Sequence, residues 1–230
     1  MTILTAAQRA IARLVGHRPP AVVSSTNEME VEITALAQEA AVEIMKSHDW
    51  QNLTTLYTIT GTGDESYPLP DDYDRMVQAM GVSSPSWPEW WFTQAASLDE
   101  WQQIKTRGFN LEPGWWMILG NRFHTLPTLS SGKQAMFYYI SKDVFLGENG
   151  TPKAAITQDG DSFRLDERLL TLSLIWRWKQ EKGLDYAEDL RTYETALSQE
   201  QTREKGSRVI RLNGGASFPG AVHAFPWELG

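Results

Sequence analysis

Cysteine is absent from all 230 residues. That removes disulfides, thiol nucleophiles and thiolate metal sites together, and suits a reducing cytoplasm. No run of about 18 apolar residues is present to span a bilayer, and no basic-then-apolar leader is visible. Excess positive charge is missing too. The formal net charge is −8 and the pI about 5.1, which argues against gripping nucleic acid by neutralising phosphates. An acidic surface is nonetheless compatible with surrounding a polyanion without holding it, since like charge disfavours adhesion.

Histidine is scarce, with four at positions 17, 48, 124 and 223 and no helical pair at metal-ligand spacing. Gly61-Thr62-Gly63 lacks the rest of a dinucleotide fingerprint, and Gly132-Lys133 lacks the glycine and hydroxyl frame of a phosphate loop. There is no Gly-x-Ser-x-Gly elbow. The expectation is therefore no catalytic residue, no cofactor and no metal.

What is abundant is tryptophan, ten residues in a chain that is 41% apolar and 11% aromatic, a composition that folds. The stretch from Asp166 to Leu197 reads as two helices joined at a glycine and is too apolar to stand alone. Leu165, Leu169, Leu172 and Trp176 recur at helical spacing, and Leu170, Leu174 and Trp178 form a second stripe with Ile175 beside it. Such a helix must be covered on more than one side. Gly183 suits a left-handed stop, and Asp185 with Glu188 has the spacing of a capped restart. Nearer the N-terminus, Thr5 with Gln8 and Asn27 with Glu30 predict two further helix starts, and Ser97 with Glu100 a third. In the second helix Ile33, Leu36, Ala37, Ala40, Ile44 and Met45 form a core stripe in which alanine permits close packing.

Between residues 53 and 164 apolar and polar residues alternate and turn residues punctuate, which reads as antiparallel strands. The predicted strands are 54–60, 75–82, 90–93, 115–119, 122–126 and 134–141, with a helix at 98–106. Gly120-Asn121 is placed to turn one hairpin and Ser130 to Lys133 another. Residues 147–160 read as a loop. Past Lys205 the helical pattern stops, and a glycine-rich tail carries Val209, Ile210, Leu212, Phe218, Val222, Phe225 and Trp227. Those are more apolar anchors than a solvated linker needs, and they predict an extended arm or added strand held by another chain. The fold class is thus α+β. A bundle of N- and C-terminal helices (1–52 and 165–204) carries an antiparallel β-rich insertion with a short helix (53–164) and an extended C-terminal arm (205–230).

Two residue sets invite a functional reading. Asp71-Asp72 and Asp159-Asp161 are acidic pairs of the kind that flank a glycosidic bond, as a peptidoglycan-cleaving glycosidase of a virion requires, yet they sit in turn-like sequence where carboxylates serve local hydrogen bonds. Trp87, Trp90, Trp91, Trp101, Trp115 and Trp116 fit three roles: core of the insertion, a subunit or tail-protein interface, or an aromatic carbohydrate-binding platform.

The order of several elements resembles one known family. Two N-terminal helices lead into His48-Asp49-Trp50-Gln51-Asn52-Leu53. Leu56-Tyr57-Thr58-Ile59-Thr60 follows, then a Gly-rich turn, then Ser66-Tyr67-Pro68-Leu69-Pro70-Asp71-Asp72-Tyr73. The match closes with Leu165-Asp166-Glu167-Arg168-Leu169-Leu170, Trp176-Arg177-Trp178 and Lys182-Gly183-Leu184-Asp185-Tyr186-Ala187. Over about residues 1 to 200 this is similar to the head-to-tail adaptor proteins of tailed bacteriophages. The resemblance implies a structural, non-catalytic virion protein at the head–tail junction, made in the host bacterial cytoplasm. Its implied partners are the portal protein, copies of itself in a ring, typically twelve, and the next tail or nozzle protein, with DNA passing through without tight binding and no membrane. In this reading the tail residues named above, from their composition and position, are expected to be the portal-gripping arm, and Trp87, Trp90, Trp91, Trp115 and Trp116 are the candidate subunit or tail interface.

Overall fold

The computed structural model describes residues 2–78, 80–88, 90–108 and 113–205. In chain order the elements are α1 (Ile3–Val15), α2 (Glu28–Lys46), a 3-10 turn (Gln51–Leu53), β1 (Thr54–Thr60), β2 (Ser66–Pro68), β3 (Tyr73–Met76), β4 (Thr93–Gln94) and α3 (Leu98–Arg107). They continue with β5 (Trp115–Leu119), β6 (Arg122–Leu126), β7 (Gln134–Ser141), β8 (Phe145–Leu146), β9 (Pro152–Lys153), β10 (Ser162–Phe163), α4 (Glu167–Glu181) and α5 (Ala187–Lys205). The described chain forms two compact units, residues 2–54 with 140–205, and residues 55–139. The architecture is α+β.

In the helical unit α4 is the central element, packed by α1, α2 and α5. That is why the aliphatic members of both its apolar stripes leave solvent, Leu169, Leu170, Leu172, Leu174 and Ile175 all being buried, each worth about 1.5–3 kcal/mol, while Trp176 and Trp178 are half-buried. Asp166 caps it by accepting from the Arg168 amide at 2.6 Å. Gly183, at φ 67°, takes the left-handed stop, and Asp185 accepts from the Ala187 amide where α5 begins. Ala6, Ala7 and Ala10 of α1 and Ala37, Ala40 and Ala41 of α2 are also buried. Asn27 caps α2 as its spacing predicts. The α1 cap is Thr2 rather than Thr5: its hydroxyl accepts from the Thr5 amide, and the chain is helical from Ile3. Within this unit a small sheet, ordered β10-β8-β9, is antiparallel throughout, so residues 147–160, read as loop, include β9.

The second unit is built on a four-stranded sheet in the order β2-β6-β5-β4. Its hairpin β5–β6 turns at Gly120-Asn121, with φ 54° and 59°, the double positive φ of a type I′ turn. Three expectations are corrected here. β4 and β5 pair in parallel, Thr93 opposite Trp115, because α3 lies between them as a crossover, the connection that parallel neighbours require. Ser130 to Lys133 does form a turn, with the Lys133 amide donating to Ser130 O, but β6 and β7 belong to different sheets and make no hairpin. The strand expected at 75–82 is also shorter, ending as β3 at Met76, with Val82 and Ser83 in isolated bridges to Phe92 and Met136.

The apolar run of β5 now has an explanation. Trp115, Met117 and Leu119 pack with Ala95, Trp101 and Ile104 on the α3 side. Trp116 and Ile118 face the opposite cluster, which holds Tyr67, Phe123, Phe137 and Tyr139. A strand covered on both faces has no polar side to show.

Candidate interaction surfaces

The acidic pairs are structural. Asp159 accepts from the amides of Val22 (2.8 Å) and Val23 (2.9 Å) and from the Ser24 hydroxyl (3.0 Å), tying the β9–β10 loop to the α1–α2 connection. Burial alone raises its carboxyl, but these hydrogen bonds outweigh it and hold the pKa below the usual value of 3.8. Asp161, fully buried, accepts from the Thr157 and Gln158 amides at 2.8 and 3.0 Å and pairs with Lys153 at 2.6 Å. Its burial is likewise outweighed, by Lys153 first and then the two amides, and its pKa is lowered. A general acid needs the opposite shift. Asp72 accepts from the Tyr139 hydroxyl at 2.8 Å, and Asp71 is exposed in a turn. Burial does raise the Glu167 carboxyl, with Arg9 opposing it, but Glu167 Oε1 is occupied by Arg9 in the packing of α1 on α4.

Among the described residues no group of three or more His, Cys, Asp or Glu side chains has the arrangement to hold a metal. His48 meets the Trp50 ring edge-on at 5.2 Å, and His124 meets Trp101 at 6.4 Å. His223 lies outside the described residues. Beside His124 is an open hollow of about 410 Å³ between Trp101 and the ion pair of Lys105 with Glu65. A second, of about 270 Å³, lies between Trp50, Arg164 and Glu204. In the first, Ser66 stands opposite His124 in the β2–β6 pairing, but its hydroxyl accepts from Arg122 Nε at 3.0 Å and Glu65 is held by Lys105; the second is lined by no histidine among the described residues.

The tryptophans divide by position. Trp116 is 4% exposed and stacks on Phe123 at 5.6 Å, which itself stacks on Phe137 at 5.3 Å, so Trp116 is core and presents no surface in the single chain. Trp101 is buried under α3, and Trp115 is half-buried in the same cluster. Trp87 is half-buried against Phe92, with Lys133 Nζ 5.1 Å from its ring centroid. Trp90 and Trp91 remain outside, 60% and 41% exposed. They lie at the end of the loop closed by the Val82–Phe92 bridge, with a hydrogen bond from the Trp90 amide to Trp87 O, so two large apolar rings are offered to solvent side by side. The other apolar side chains left open include Leu98, Leu56 and Tyr138 in this unit and Val15, Val31 and Leu184 in the helical one. Both are paired tryptophans; the local signal that separates them is that Trp115 and Trp116 lead the apolar run Met117 to Leu119, whereas Trp90 and Trp91 are flanked by Glu89, Thr93 and Gln94.

Val209, Ile210, Leu212, Phe218, Val222, Phe225 and Trp227 lie outside the described residues. What the structure does show is how the last described turn of α5 is held. Gln51 donates from its amide to Glu204 Oε1 at 2.7 Å and from its side chain to Glu204 O at 2.8 Å, and Gln201 donates to Ser47 at 3.3 Å.

Residues 1–217 match the model of a family described as SU10 adaptor protein, so the likeness covers both units and runs into the tail, beyond the residue 200 or so reached by the sequence resemblance. In comparison with curated proteins, none matches.

Proposed function

The chain belongs to the SU10 adaptor protein family, a phage head-to-tail adaptor family, and on that premise we propose that copies of it, typically twelve, form a ring beneath the portal that continues the DNA channel and docks the tail. The observation that carries this reading is the extent of the family match, which takes in nearly the whole chain. The net charge of −8 supports a channel wall that lets the genome pass without adhesion. No reaction is catalysed in this role. It is played at the head–tail junction of the virion after synthesis in the host bacterial cytoplasm.

In this assembly the helical segments, 1–52 and 165–204, pack subunits together, and the β-rich insertion, 53–164, faces outward or downward. Trp90 and Trp91 meet a neighbouring subunit or the next tail or nozzle protein, with Trp87 and Trp115 behind them. The arm, 205–230, grips the portal through Val209, Ile210, Leu212, Phe218, Val222, Phe225 and Trp227. Each arm contributes little affinity alone, because linked contacts around a ring act together. Electron microscopy of the protein mixed with its cognate portal tests this. A ring extending the portal, weakened by Phe225→Ala with Trp227→Ala, is the expected result; no added density with the wild-type chain overturns it.

A further inference from the structure

Edge strands offer unpaired N–H and C=O groups to any passing chain, and proteins guard them with short length, charge or proline. Five of the six sheet edges described here are guarded in this way. β2 has three residues and ends in Pro68, β4 and β10 have two each, β9 has two and begins with Pro152, and β3 carries Asp74 and Arg75. β1 is the exception. It lies at the edge of the sheet ordered β1-β7-β3 and runs for seven residues, Thr-Thr-Leu-Tyr-Thr-Ile-Thr, without charge or proline. Thr55, Leu56, Thr58 and Thr60 are exposed, Leu56 by 47%. Uncharged and rich in β-branched residues, this edge calls for a cover.

We propose that residues 208–212 of the same chain add to the open edge of β1 as a parallel strand. The bonds from Gln51 to Glu204 hold the last turn of α5 beside Gln51, which lies three residues before β1 begins. A chain leaving that point and following β1 runs in the direction of β1. The linker is Gly206-Ser207, and residues 206–212 reach about 23 Å when extended, the length of β1. The added strand reads Arg-Val-Ile-Arg-Leu, placing Ile210 and Leu212 on one face and Val209 and Arg211 on the other. Asn213-Gly214-Gly215 then ends it. Charge agrees: residues 206–230 carry two Arg against one Glu, while the whole chain is at −8. Docked in this way the arm hides its own apolar residues and blunts the edge, until a portal offers better contacts. Only that last step rests on the adaptor reading.

The absence of cysteine makes the test clean. In the full chain bearing Thr58→Cys and Ile210→Cys, a short bismaleimide at dilute protein concentration is expected to bridge the two thiols within one chain. Thiols left unbridged, or bridged only between chains, overturn the proposal, and the latter result gives the edge to a second copy instead. Ile210→Pro, which cannot complete a ladder, is expected to speed amide exchange across 54–60 roughly tenfold, equivalent to about 1.4 kcal/mol of local protection. Unchanged exchange overturns it equally. No portal is present in either measurement, so failure here leaves the adaptor role standing, and failure of ring formation leaves this docking standing.

Discussion

The two units reach order by different means. The helical one closes on aliphatic side chains and alanines, with α4 packed by three other helices and charged pairs such as Arg13–Asp189 and Lys182–Glu32 at its rim. The β-rich one closes on rings, with Trp116, Phe123 and Phe137 in a continuous stack and Tyr57 edge-on to Phe137. Alanine contacts permit close helix approach and leave little to vary. Ring stacks fill a thin sandwich with few residues, and the same residue type then extends to the surface at Trp90 and Trp91. The unit with the aromatic core is thus also the one with the aromatic surface.

That contrast is open to attack by mutation. The largest effect is expected for Phe123→Ala, which removes the middle of the stack and costs about 3–5 kcal/mol. Calorimetry should show one of two transitions lowered and the helical one unmoved; a single transition shifting as a whole would show that the units melt together. Leu170→Ala in α4 should cost about 2–5 kcal/mol and lower the other transition, read by far-UV circular dichroism. Asp161→Asn is expected to cost about 2 kcal/mol, since the Lys153 pair is lost while the two amides keep an acceptor. The same carboxylates set an acid limit. With folded pKa values lowered, Asp159 and Asp161 contribute stability that is present above pH 3.8 and lost as pH falls through their folded values. A pH titration of the melting temperature should therefore drop below about pH 4, and less steeply in the Asp161→Asn chain. The smallest effect on stability, within about 0.5 kcal/mol, is expected for Trp90→Ala with Trp91→Ala. Loss of tail docking with an unchanged melt would sharpen the division between ring core and ring surface.

Much of the helical unit was legible in the sequence, because a 3.6-residue period, an Asp at the start of α4 and a glycine at its end are local signals that tertiary contacts reinforce. The Thr2 cap was missed because Thr5 and Thr2 both precede the apolar stripe and differ by only one turn. In the β-rich unit existence of strands was legible and partnership was not. Trp115 to Leu119 hid its alternation by being covered on both faces, and nothing local distinguishes a Ser130–Lys133 turn within one sheet from a turn between two. The candidate surface was legible only as a set of tryptophans. Which of them face solvent depends on where α3 and the second sheet lie, and the polar neighbours of Trp90 and Trp91 carry only part of that.

The hydrogen bonds from Gln51 to Glu204 also have a mechanical meaning. A pull applied along the chain at Lys205 would load the last turn of α5, where it would have to break those two bonds and then the Gln201–Ser47 contact one turn further back. Peeling α5 away is resisted stepwise from its free end. The force this joint bears is therefore set by the few ångströms around Gln51 and Ser47, and Gln51→Ala, which removes the side-chain bond and leaves the amide one, would make it yield at lower force.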